Sequence, residues 1–102
     1  MSIESIAQEV VEELERAEAK FGPFNSSHEG YAVILEELDE LWEVVKLNPK
    51  KIETAVPYTS DYRMTMQNSK RNDMMRAEAI QVAAMAMRFI KCICDQDKSD
   101  GQ

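Results

Sequence analysis

Histidine occurs once in this chain of 102 residues, at His28, and cysteine twice, at Cys92 and Cys94. No Ser-His-Asp set and no CxxC pair is found, so nucleophilic hydrolysis and structural zinc have no support. Three scattered glycines cannot build a Gly-rich phosphate loop. On a helix the two cysteine side chains diverge by roughly 200° and do not bridge. Reduced thiols in a cytoplasmic protein are the expectation. Apolar runs stay short of the roughly 20 residues of a membrane span, and MSIESIAQEV lacks the basic and apolar regions of a signal peptide. An intracellular, cytoplasmic protein without a membrane partner is expected.

Positive charge is also in deficit. Twelve basic against 19 acidic residues give a formal charge of −7, which argues against a nucleic acid polymer as partner, because a phosphate backbone attracts a positive surface. A small nucleotide that arrives with its own metal ions stays compatible.

What the chain does have is helical periodicity and acid. At this length it forms one domain, with oligomerisation expected to complete the core. Ile3, Ile6, Ala7, Val10, Leu14, Ala17 and Phe21 recur at helical spacing, and Gly22 with Pro23 stops that helix. Ser26 and Glu29 resemble a capping box that opens a second helix, Glu29 to Lys46. Its apolar residues Tyr31, Ile34, Leu35, Leu38, Leu41, Trp42 and Val45 form one stripe expected to face a core. Asn48 and Pro49 end it. The stretch from Lys50 to Asn72 has little periodicity and reads as a flexible connector, about 48–72, able to order over a ligand or a partner subunit. The third strong segment, Asp73 to Asp95, is apolar on nearly all sides, as expected of a central bundle helix at a subunit interface. The tail from 96 to 102 should be disordered. The fold class is therefore all-α, a helical bundle of three main helices plus a variable connector, assembled through oligomerisation.

The carboxylates carry the functional question. An acidic face such as EELDELWE is ordinarily solvated surface. Glu37 and Glu40, however, stand at i,i+3 with Glu37 at the border of the apolar stripe, so their oxygens could converge on a hard cation if a facing helix supplies more. Glu78 and Gln81 repeat the i,i+3 spacing on the apolar third helix. A carboxylate among apolar neighbours must be paired or bound to a cation, and Arg76, Arg88 and Lys46 are the candidate salt-bridge partners of Glu78. His28, beside a helix start, reads as a surface or capping residue.

EELDE at Glu36 to Glu40, followed by ExxQ at Glu78 to Gln81 on an alanine-rich helix, resembles the MazG-like family of all-α nucleoside triphosphate pyrophosphohydrolases. The stretches FGPFNSSHEGYAVILEELDELW and RAEAIQVAAMAMRFI are most similar to its small single-domain members of bacterial and phage type. The resemblance implies an EExxE plus ExxD set that binds Mg²⁺, or Mn²⁺, and converts a nucleoside triphosphate to monophosphate and pyrophosphate, for nucleotide housecleaning or pool control. It implies Glu37, Glu40, Glu78 and Gln81 as metal ligands, with Glu36 or Glu40 catalytic through an attacking water. Gln81 departs from the family's Asp, and a neutral amide is a weaker oxygen donor.

Arg88, Lys91, Lys70 and Arg71 could reach phosphates, and Trp42, Phe24 or Tyr31 could stack a base. Arg88, Lys91 and Trp42 are the candidates for substrate binding. The expected partners are a nucleoside triphosphate and further copies of the chain, as a homodimer or homotetramer. The alternative is a noncatalytic MazG-like helical module acting through protein contacts.

Overall fold

The computed structural model describes residues 2–47 and 60–95, with side chains from 69 onward in the second range. The described residues are all-helical, without strands. Helix α1 spans Ile3–Phe21, α2 spans Ser27–Val45 and α3 spans Ser60–Phe89, extended by a π-helical segment, Ile90–Cys94.

Local chemistry sets the ends of the first two helices. The Ser2 hydroxyl accepts from the Ser5 N–H at 3.1 Å to cap α1. At the other end Gly22 takes φ 75°, the left-handed region glycine favours, and donates its N–H to the Glu18 carbonyl at 2.9 Å. The Ser26 hydroxyl accepts from the Glu29 N–H at 3.0 Å, as the capping-box spacing predicts. The reciprocal half is displaced by one residue: Glu29 Oε1 accepts from the Asn25 N–H, at 2.6 Å. That contact ties the 22–26 connector to α2.

The start of α3 differs from the sequence expectation. Backbone from Ser60 to Asn72 is helical, so the connector inferred there is cut back, and its first part, 48–59, lies outside the described residues. SDYRMTMQNSKRN lacks an apolar stripe, and periodicity cannot announce a helix that is polar on most sides. The tail from 96 onward also lies outside the described residues.

Both α1 and α2 pack against α3, which is therefore the central helix, as expected. Val10, Leu14 and Ala17 of α1 meet Ala84 and Met85 of α3, with Phe24 of the connector closing the cluster. Ala84 is fully buried, so the helices approach closely there. Gly30 lets α2 do the same, because Phe89 of α3 lies against its Cα. Packing by α1 and α2 buries α3 from more than one direction, as expected, while Met87 and, in the π-helical segment, Ile90 are exposed.

The apolar stripe of α2 needs a larger correction. Gly30 and Val44 are its buried positions, with Val33 and Ile34 packed on the core. Tyr31, Leu35, Leu38 and Trp42 are exposed. The helix is rotated so that the side bearing Glu37 turns toward α3, which leaves half of the stripe without cover.

Candidate metal centre

Three carboxylates meet where α2 crosses α3. Oxygens of Glu37, Glu40 and Glu78 all lie within 4.8 Å of one another, with Glu37 and Glu78 half-buried and Glu40 exposed. The i,i+3 step puts Glu37 and Glu40 on adjacent turns of α2, and α3 brings Glu78 from the facing side.

The electrostatics register the crowding. Burial first, then the charges of Glu40 and Glu78, push the Glu37 carboxyl up to about 7. Glu78 is raised for the same reasons, burial ahead of the Glu40 charge. Among the described residues no cation offsets either shift. The salt-bridge candidates for Glu78 are engaged elsewhere. Arg76 forks onto both oxygens of Glu9 at 2.7 Å, Lys46 holds Glu43 at 3.1 Å, and Arg88 donates to the Gly22 carbonyl at 2.7 Å. Glu78 Oε1 is buried without a hydrogen-bond partner. Clustered, half-buried carboxylate oxygens with one orphaned acceptor are a donor set suited to a hard divalent cation.

Beside the cluster lies a cavity of about 380 Å³, bounded by α1, the connector, α2 and α3. Glu36, Glu37 and Gln81 line the side nearest the carboxylates, while Phe21, Pro23, Phe24, Val33 and Met85 supply apolar wall. Arg88 lines it too, with the residue only 4% exposed. Its guanidinium stacks on Phe24, 4.1 Å from the ring centroid, and its Nε has no hydrogen-bond partner. A cavity of this size, with an apolar wall on one part and charged and amide side chains on the rest, suits a small polar organic ligand.

The structure separates the residues singled out from sequence. Glu37, Glu40 and Glu78 come together, and Glu36, Gln81 and Arg88 line the adjoining cavity. Lys91 is paired with Glu18 at 2.8 Å and is not part of the cavity wall. Trp42 lies on another side of α2, in a groove with Leu38, Leu41 and Val45, where Lys46 sits 5.8 Å from its ring centroid. Arg71 donates to the Val45 carbonyl. Cys92 and Cys94 are free thiols.

Sequence reasoning missed Glu13 and Arg16 of α1, which also line the cavity. The Glu13 carboxyl is held below the usual carboxylate range by Arg16 and, to a smaller extent, by a hydrogen bond from Gln81. In sequence Glu13 is one of many acids on α1, and nothing distinguishes it until α3 places Gln81 against it.

No family model, no curated protein and no solved structure matches the chain. Among the described residues, no helix is long and apolar enough to cross a membrane.

Proposed function

We propose that the protein is a divalent-cation-dependent nucleotide pyrophosphohydrolase acting at the Glu37, Glu40, Glu78 cluster. The observation that carries this reading is the convergence of three carboxylates, with a buried unpartnered oxygen on Glu78 and a Glu37 carboxyl near neutrality. Such a set repels itself unless protonated or neutralised by a cation. Glu37, Glu40 and Glu78 would hold Mg²⁺ or Mn²⁺, which when bound neutralises charge on phosphate oxygens. Glu36, exposed and lining the cavity, would orient or deprotonate a water. The apolar wall of the cavity would take the rest of the nucleotide.

Gln81 supports a second reading, a noncatalytic helical module. Its amide lies beside Glu13 and contributes to holding that carboxyl low, so the position where the resembling family carries an anionic ligand faces α1 with a neutral group instead. One experiment separates the two: pyrophosphate release from a panel of nucleoside triphosphates, with and without Mg²⁺, for wild type and Glu78→Ala. Metal-dependent release that Glu78→Ala abolishes is the expected result. No release from any member, together with no Mg²⁺ binding by calorimetry, overturns the catalytic reading in favour of the module.

A further inference from the structure

Two cavities share three residues. The one beside the carboxylate cluster, of about 380 Å³, and a second of about 570 Å³ between α1 and α3 are both lined by Glu13, Arg16 and Gln81. Along this border the side chains run in sequence from one helix to the other. Gln81 of α3 lies beside the Glu13 carboxyl and helps to hold it below the usual carboxylate range, and Glu13 in turn accepts from the Arg16 guanidinium on both oxygens, from Nε at 2.9 Å and from Nη2. The two ends of that fork differ in exposure, with the Glu13 side chain 15% exposed and the Arg16 side chain 59%. A largely covered carboxylate, steadied from α3, thus fixes an exposed guanidinium.

Fixed in this way, the guanidinium still has an open edge. Nε and Nη2 are turned to Glu13, and among the described residues no protein group accepts from Nη1. Arginine presents its N–H groups as a planar fork, and a free edge of that fork matches two oxygens of a phosphate. An i,i+3 ion pair on an exposed helix face contributes little to stability, so the arrangement orients the guanidinium more than it holds the fold. The cavity also lacks another accessible cation. Arg88, the second arginine in its wall, is 4% exposed and engaged with the Gly22 carbonyl and the Phe24 ring, while Glu29, Glu36 and Glu37 are acids. A triphosphate entering here needs positive charge beyond that of one cation on the carboxylate cluster.

We propose that Arg16 is the phosphate-binding residue of this cavity, donating from its open edge to phosphate oxygens that the cation does not take, with Glu13 and Gln81 as the residues that position it. The proposal rests on the reading of the cavity as a nucleotide site. It gives Gln81 a part that an aspartate would not fill, because a carboxylate at that position would repel Glu13 and loosen the fork.

Calorimetric titration of the full chain with inorganic tripolyphosphate in the presence of Mg²⁺ reads this contact without requiring turnover. Wild type is expected to bind, and Arg16→Gln to bind at least about tenfold more weakly while keeping the helical circular dichroism of wild type. Arg16→Lys should recover less than half of that loss, because an ammonium does not reproduce the fork. Glu13→Gln leaves Arg16 in place but unoriented and should weaken binding about threefold, the cost of ordering one long side chain. In the Arg16→Gln background it should have no further effect, since it acts only through Arg16. Lys46→Gln removes a positive charge outside both cavities and should stay within about twofold of wild type. Pyrophosphate release from nucleoside triphosphates is followed on the same proteins. If wild type releases none, yet its tripolyphosphate affinity falls with Arg16→Gln, the hydrolytic reading fails and the phosphate site stands. Affinity or kcat/KM unchanged by Arg16→Gln, an equal loss in Lys46→Gln, or no tripolyphosphate binding by wild type each overturns the assignment of Arg16. A Glu13→Gln loss that persists without Arg16 overturns the positioning role.

Discussion

Glu37 of α2 and Glu78 of α3 present carboxylate oxygens within 4.8 Å of each other, and Glu40 shares the contact. Two helices distant in sequence are thereby joined at a point of mutual repulsion, which a proton or a cation must relieve.

The first prediction concerns pH. Glu37 titrates near 4.5 when unfolded and at about 7 when folded, so the folded state binds its proton more tightly. Its stabilising contribution is fully present below about pH 4.5 and is lost as pH rises through about 7. Glu9 and Glu13 are depressed by Arg76 and Arg16 and change below pH 4.5, outside that window. In the absence of divalent cations, melts should show a midpoint that falls from pH 5 to pH 8, and Glu37→Gln should flatten the slope. Millimolar Mg²⁺ should raise the midpoint more at pH 8 than at pH 5, because protons and metal compete for the same oxygens. An equal response at both values would separate the metal from the cluster.

Gln81→Asp tests the contact with α1. The substitution removes the amide donor to Glu13 and sets a second carboxylate beside it. Metal-free stability at pH 7.5 should fall by up to about 1 kcal/mol, the cost of two half-buried like charges side by side. If the cluster takes a cation, Mg²⁺ should recover part of that loss and bind more tightly than to wild type. Calorimetric titration of both proteins gives the comparison, and a variant equally destabilised with and without Mg²⁺ would count against the metal centre.

Arg88→Leu should destabilise the chain by about 2 kcal/mol, since it leaves the Gly22 carbonyl without its donor and removes the guanidinium from Phe24. Arg88→Lys keeps the charge without the planar stack and should recover less than half of the loss. Urea unfolding of the three proteins measures it. Equal stability would mean that the connector is held by its apolar contacts alone.

Gly30→Ala sets two effects against each other. Alanine in an open helix would gain about 1 kcal/mol in propensity. Here its Cβ would stand 2.6 Å from Phe89 Cδ2 and 3.1 Å from Phe24 Cδ2, and overpacking of that kind costs about 1–3 kcal/mol. The net expectation is a loss, read as an earlier urea midpoint. A gain would show that Phe89 rotates away at little cost.

Periodicity, caps and breakers determined much of this chain before any packing was considered. The i,i+3 and i,i+4 spacings fix α1 and α2, Ser26 opens α2, and Gly22 closes α1, because each depends on interactions within a turn or two of backbone. Those spacings also marked Glu37 with Glu40, and Glu78 with Gln81, as neighbours within their own helices. Tertiary structure alone decided the rest. The rotation of α2 about its axis turned Glu37 toward α3 and left Tyr31, Leu35, Leu38 and Trp42 outside, a choice local spacing does not contain, because a wide apolar stripe can be buried from either edge. It also set Gln81 of α3 against Glu13 of α1 and stacked Arg88 on Phe24, pairs far apart in the chain that exist only once three helices share a core.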